Sequence, residues 1–134
     1  MKIMIDTNIF ISAILFPDGC VAEALEKALK PPFEPLICDY VLDELRCKFQ
    51  EKFPSKMTEL DTFLSVTLKT ITMVQTPKEE TDAERKIRDE KDRPILRAAL
   101  NAGADLFLTG DKDFLESSVT VPKMVNAKDF LTLY

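Results

Sequence analysis

The sequence has no histidine and no tryptophan, and only three glycines in 134 residues. Without histidine there is no Ser-His-Asp triad, no Cys-His pair and no imidazole general base. Gly19, Gly103 and Gly110 stand too far apart to form a GxGxxG turn or a P-loop. Cysteine is also scarce. Cys20, Cys38 and Cys47 are odd in number, form no CxxC pair and have no histidine to complete a zinc site. They read as small apolar residues, at least partly buried, in a reducing compartment. The apolar run within Met1–Leu15 is broken by Asp6 and Asn8 and is followed by no small-residue cleavage site, so it is not read as a secretory signal. No stretch is long and apolar enough to cross a bilayer. The expected location is the cytoplasm, and carboxylates are the reactive groups that remain for any chemistry.

What is present suits one globular domain over residues 1–134: 46% hydrophobic and 31% charged residues. The net charge of −5 argues at first against a nucleic-acid partner. Two divalent cations held by acids would cancel most of it, so the acidity is compatible with a nuclease without indicating one.

Hydrophobic patterning alternates strands with helices. Lys2–Ile5 reads as a buried strand, and Thr7 or Asn8 as the cap of an apolar helix over Ile9–Leu15. Phe16-Pro17-Asp18-Gly19 is a turn. Val21–Leu29 carries Ala24, Leu25 and Ala28 on one helical face and stops at Pro31-Pro32. Pro35–Cys38 is a second strand, with Asp39 capping a helix from Tyr40 to about Glu51. Thr58–Leu68 is amphipathic, Thr70–Val74 a third strand, Thr76–Glu80 a loop and Asp82–Arg88 a short helix. Asp92-Arg93-Pro94 combines a capping acid with an early proline, and the helix runs through Asn101 to a left-handed C-cap at Gly103. Asp105–Thr109 and Val121–Val125 are two more strands, and Ala127–Leu133 is a final helix. The expected fold is therefore three-layer α/β/α, with a central, mainly parallel sheet of about five strands.

In such sheets ligands bind beyond the carboxyl ends of the strands. Asp6 follows the first strand and Asp111 the fourth, with Asp113 two residues later. Glu44 and Asp92 lie near the starts of helices that leave the same edge. Converging carboxylates repel one another unless protons or cations neutralise them. An oxygen-only set favours hard ions, Mg²⁺ or Mn²⁺. Such ions activate water and clamp the oxygens of a phosphoryl displacement. Each acid also has a purely structural reading. Asp6 and Asp92 could cap helices, Glu44 could pair with Lys48 at i,i+4, and Asp111-Lys112-Asp113 could be a solvated turn.

Four stretches taken together resemble the PIN domain, in particular the toxin nucleases (VapC-like) of prokaryotic toxin–antitoxin pairs. They are Met4-Ile5-Asp6-Thr7-Asn8, Val41-Leu42-Asp43-Glu44-Leu45, Asp92 to Ala99, and Ala104 to Asp113. The resemblance covers almost the whole chain. It implies a Mg²⁺- or Mn²⁺-dependent endoribonuclease with Asp6, Glu44, Asp92 and Asp111 as its acidic quartet and Asp113 as an accessory acid. Asn8 or Thr7 would be a polar neighbour of the metal. It also implies a homodimer and a small antitoxin covering the active-site groove. Asp92 is preferred to Asp89 because Pro94-Ile95-Leu96 follows it at the family's spacing.

RNA requires cations, and Arg85, Lys86, Arg88, Lys91, Arg93 and Arg97 form the densest basic stretch, with Lys112 inside the acidic motif. They serve either as RNA contacts or as a solvated face interleaved with Glu84, Asp89 and Glu90. No aromatic stacking platform is evident. Two alternatives stand beside the nuclease. A phosphatase of the haloacid-dehalogenase type also opens on a strand-end aspartate, but needs a second acid where this chain has Asn8. A non-catalytic binding domain of the same fold is the other.

Overall fold

A computed structural model describes residues 1–134. Five parallel strands form one sheet: β1 (Lys2–Ile5), β2 (Glu34–Cys38), β3 (Thr72–Val74), β4 (Leu106–Leu108) and β5 (Lys123–Val125), in the order β3-β2-β1-β4-β5. Ile3, Met4 and Ile5 are fully buried, as are Phe107 and Leu108. The central strands read as continuous apolar runs because helices cover both faces of a parallel sheet. The helices are α1 (Thr7–Leu15), α2 (Cys20–Ala28), α3 (Asp39–Lys52), α4 (Met57–Thr67), α5 (Arg93–Asn101), α6 (Lys112–Leu115) and α7 (Ala127–Leu133).

The strand order locates the site. From β1 the chain steps to β2 and β3 on one side, and from β4 to β5 on the other. Right-handed crossovers in opposite directions leave on opposite faces, so a crevice opens at the carboxyl ends of β1 and β4. These two strands are direct partners, with Ile5 opposite Leu108. Asp6 follows one and Thr109-Gly110-Asp111 the other.

Most expected elements are present, with some differences. The cap of α1 is Asp6 rather than Thr7 or Asn8: its Oδ1 accepts from the Thr7 N–H at 2.8 Å. Asp82–Arg88 contains only a 3₁₀ turn over Ala83–Lys86. That turn forms around Glu84, which is 2% exposed and accepts from the Thr81 N–H and from Arg97. Helix α6 was not anticipated, since one turn is too short to show a periodicity. Gly103 has φ 71°, the left-handed cap expected of it. Of the cysteines only Cys38 is buried, whereas Cys20 and Cys47 are exposed, contrary to expectation. Both lie on outward faces of α2 and α3, which periodicity assigns to solvent. Burial pushes the Cys38 thiol up to about 11, which makes it unreactive.

Candidate active site

Asp6 is the deepest acid of the crevice, 4% exposed. Its backbone N–H donates to Leu108 O at 3.0 Å, which continues the β1–β4 ladder to the sheet edge. Its Oδ2 accepts from the Thr109 hydroxyl at 2.7 Å. The same hydroxyl oxygen accepts from the Asp111 N–H at 3.0 Å. Thr109, itself fully buried, thus ties the strand-end acid of β1 to the acid that follows β4. Asp111 Oδ1 accepts from the Asp113 N–H at 2.9 Å and caps α6. The sequence reading passed over Thr109. The available signal was a hydroxyl residue between a buried strand and Gly110-Asp111, on a strand paired with the one ending at Asp6.

Asp92 sits at the N-cap position of α5, yet its side chain makes no capping hydrogen bond. Arg93-Pro94 starts the helix without it, because proline there gives up no intrahelical hydrogen bond. The Asp92 carboxyl instead lies among other acids and feels the charges of Asp111, Asp6 and Asp89. Partial burial, followed by those charges, pushes it up to about 7. Asp6 is pushed up to about 6, chiefly by burial, with hydrogen bonds from Thr109 and Thr7 opposing and the charges of Glu44 and Asp111 adding. In both carboxyls burial is the larger cause and the charge of neighbouring acids adds in the same direction.

Glu44 is placed on α3, close enough for its charge to act on Asp6. Its i,i+4 contact with Lys48 is long, 3.9 Å, and both side chains are about one-third exposed or more. That geometry is worth a few tenths of a kcal/mol, on the order of 0.3–0.5. Asp113 is ion-paired with Arg88. Carboxylate oxygens of Asp89, Asp92 and Asp113 lie within 4.8 Å of one another. Asp89, which motif spacing set aside in favour of Asp92, therefore stands beside it in the cluster. Asn8 Oδ1 accepts a long hydrogen bond, 3.5 Å, from the Gly110 N–H, and the buried Thr7 hydroxyl has no partner.

The basic stretch divides by geometry. Arg97 does not face solvent: it is paired with Glu84 at 3.0 Å and 11% exposed, and it also donates to Pro77 O. Arg93 donates to Ile87 O. These two guanidiniums hold the 77–93 segment against α5. Lys86, Arg88 and Lys112 line an open pocket with Asp113, next to the acids. Tyr40, 51% exposed, lies in a groove with Glu44 and Pro94, so an exposed aromatic face does border the site.

All these donors are carboxylate oxygens, the set that suits a hard divalent cation and not zinc or copper. A cation would offset both causes that raise Asp6 and Asp92, the burial of their charge and the repulsion of their neighbours. The residues present therefore fit Mg²⁺ or Mn²⁺.

A parallel α/β sheet whose acids gather at the switch point between its two central strands defines a carboxylate-centred α/β domain. The chain belongs to the PIN domain family, a family of nucleases: the family model described as PIN domain matches residues 2–113. In fold it is similar to a chain of VapBC2 from Rickettsia felis, solved bound to a DNA fragment from their promoter. The TM-score is 0.70 at 21% identity, over 94% of this chain and 98% of that one. No curated protein matches the chain in sequence.

Proposed function

We propose that the protein is a Mg²⁺- or Mn²⁺-dependent endoribonuclease, the toxin of a toxin–antitoxin pair, acting in the cytoplasm as a homodimer restrained by a cognate antitoxin. The observation that carries the nuclease reading is the gathering of acids at the switch point: Asp6 and Asp111 joined through Thr109, and Asp92 grouped with Asp89 and Asp113. Membership of the PIN family supports the same reading. The likeness in fold to a chain of VapBC2 supports the toxin role. No helix is long and apolar enough to cross a membrane.

Asp6, Asp92 and Asp111 would hold the cation, with Glu44 and Asp113 completing its surroundings. When bound, the ion supplies an activated water and a counter-charge for the phosphate oxygens. The chain's own residues do the positioning. Thr109 fixes the distance between Asp6 and Asp111. The Thr7 N–H orients the second oxygen of Asp6, and Asp113 presents its carboxylate beside Asp92. Lys86, Arg88 and Lys112 offer positive charge where an adjoining phosphate of the strand would lie.

The phosphatase alternative lacks a comparable support, since Asn8, at the position where it needs an acid, instead accepts from Gly110. The deciding experiment incubates the purified chain with RNA and Mg²⁺ or Mn²⁺. Cleavage that stops with chelator and is lost in Asp6→Asn supports the proposal. Hydrolysis of a small phosphate ester with RNA left whole would favour the phosphatase. Inertness toward both, with no metal bound, would favour a binding domain.

A further inference from the structure

Beside the acid cluster, α3 and the start of α5 enclose a groove of about 390 Å³ that the proposed chemistry does not use. A solitary exposed aromatic on a protein surface needs no explanation. Tyr40 is different in its placement. It lies four residues before Glu44 on α3, so its ring and that carboxylate are neighbours on one helical face. Glu44 lines the groove and is close enough for its charge to act on Asp6, so one carboxylate faces both the groove and the acid cluster.

The ring's backbone is also fixed. Asp39 Oδ1 accepts from the Tyr40 N–H at 3.0 Å and from the Thr76 N–H at 3.1 Å, joining the start of α3 to the loop after β3. A backbone anchored before binding leaves only the ring's own rotations to be lost when it is used. Pro94, at the start of α5, forms the groove's other apolar surface.

The polar groups of the groove select what can enter. Asp43 and Glu90 supply acceptors, and Lys91 is the one cation. A phosphate would meet three carboxylates here, Glu44 included. The Watson–Crick edge of a nucleobase, which carries N–H donors, meets acceptors, and its flat face meets a ring. Guanine places two N–H donors side by side, the pair that one carboxylate accepts.

We propose that Tyr40 is a base-stacking residue, and that the groove between α3 and α5 receives one base of single-stranded RNA next to the scissile phosphate, guanine best, with Asp43 or Glu90 reading its N–H edge. This inference rests on the nuclease reading and adds to it a determinant of where the strand is cut. Recognition of single strands through stacked, splayed-out bases is the general mode by which proteins read RNA sequence.

The chain itself provides the probe. It has two tyrosines and no tryptophan, so Tyr134→Phe leaves Tyr40 as the sole tyrosine, excited selectively above the phenylalanine absorption band, at a small cost to packing. A guanosine-containing single-stranded RNA is titrated in Ca²⁺, used in place of Mg²⁺ to leave it uncut, and binding is followed in parallel by anisotropy of a labelled end. The expected result is quenching of Tyr40 emission with the same affinity that anisotropy reads. Tyr40→Leu should weaken binding about 5- to 150-fold, the range that base–aromatic stacking carries, while Tyr40→Phe keeps it. RNA that saturates by anisotropy without changing Tyr40 emission, or unaltered affinity in Tyr40→Leu, overturns the stacking role. Equal affinity for guanosine and inosine oligonucleotides overturns the base-edge assignment. Wild-type protein that neither binds nor cleaves RNA in Mg²⁺ overturns the nuclease reading along with this one, whereas cleavage with a silent Tyr40 overturns this inference alone.

Discussion

Replacing Asp6 with asparagine should abolish cleavage and, in the metal-free protein, make the fold more stable above neutral pH. Asp6 is 4% exposed, and its carboxyl is pushed from 3.8 up to about 6. A carboxyl raised in the folded state contributes stability that is fully present below its unfolded value and lost as pH rises through the folded one. Above that window the ionised Asp6 costs about 3 kcal/mol, the free-energy equivalent of the rise from 3.8 to about 6. Asparagine never ionises, and its carbonyl still accepts from the Thr7 N–H. It does forfeit the carboxylate that the Thr109 hydroxyl donates to, a loss of about 1 kcal/mol. The net gain is about 2 kcal/mol in alkaline chelator, or roughly 8 °C in Tm for a domain of this size. Relief of the charge felt by Asp92 adds in the same direction. At acid pH, where wild-type Asp6 is already neutral, the gain should vanish and turn into a loss of about 1 kcal/mol. Urea unfolding of both proteins from about pH 4 to about pH 8 in chelator, with RNA cleavage measured alongside, reads both effects. A variant less stable than wild type at every pH, or one that still cleaves, would refute the reasoning.

Metal binding should strengthen as pH rises through about 6 to 7, because the ion must displace protons held by Asp6 and Asp92; calorimetry of Mn²⁺ binding in buffers of different ionisation enthalpy would detect their release, and a pH-independent affinity would contradict it. Thr109→Val should cost about 1–3 kcal/mol by leaving the Asp111 N–H and Asp6 without their shared partner. Its kcat should fall although circular dichroism stays native. Arg97→Ala should destabilise by about 3–5 kcal/mol, because it strands the buried Glu84. Arg88→Ala, at the exposed end of its pair with Asp113, should leave unfolding nearly unchanged; comparing the two urea midpoints separates the buried ion pair from the surface one.

The strands and the two strand-end acids were legible in the sequence because the responsible signal is local. Lys2–Ile5 runs into Asp6, and Leu106–Leu108 is followed closely by Asp111. A parallel pairing of those strands puts both acids at one edge, as the register of Ile5 with Leu108 does. Asp92 and Glu44 were ambiguous from local sequence, since each has a structural use that its own segment cannot exclude. For Asp92 the three-dimensional contacts remove that use: Arg93-Pro94 starts α5 without its carboxyl, which stands beside those of Asp89 and Asp113. Arg97 was unreadable because its partner, Glu84, lies in a 3₁₀ turn with no periodicity of its own. Asp89, Thr109 and the Tyr40 groove depend on juxtapositions across the fold: β4 against β1, and α3 against the start of α5. Hydrophobic pattern reports which side of an element is buried, but not which exposed residues of two distant elements come to face each other.

The Thr109–Asp6 hydrogen bond spans 103 positions of the chain. The chain emerges N-terminus first during synthesis, and here the acid that follows the first strand waits for β4 to arrive. A growing chain that has released β1, β2 and β3 already owns Asp6 and Glu44, but has neither Asp92 nor Asp111 to set beside them. Any product truncated before β4 would be catalytically mute for the same reason. For a protein proposed to cut RNA inside the cell that makes it, the topology ties the proposed acid set to the arrival of β4, so a nascent chain short of Asp111 lacks one of its members.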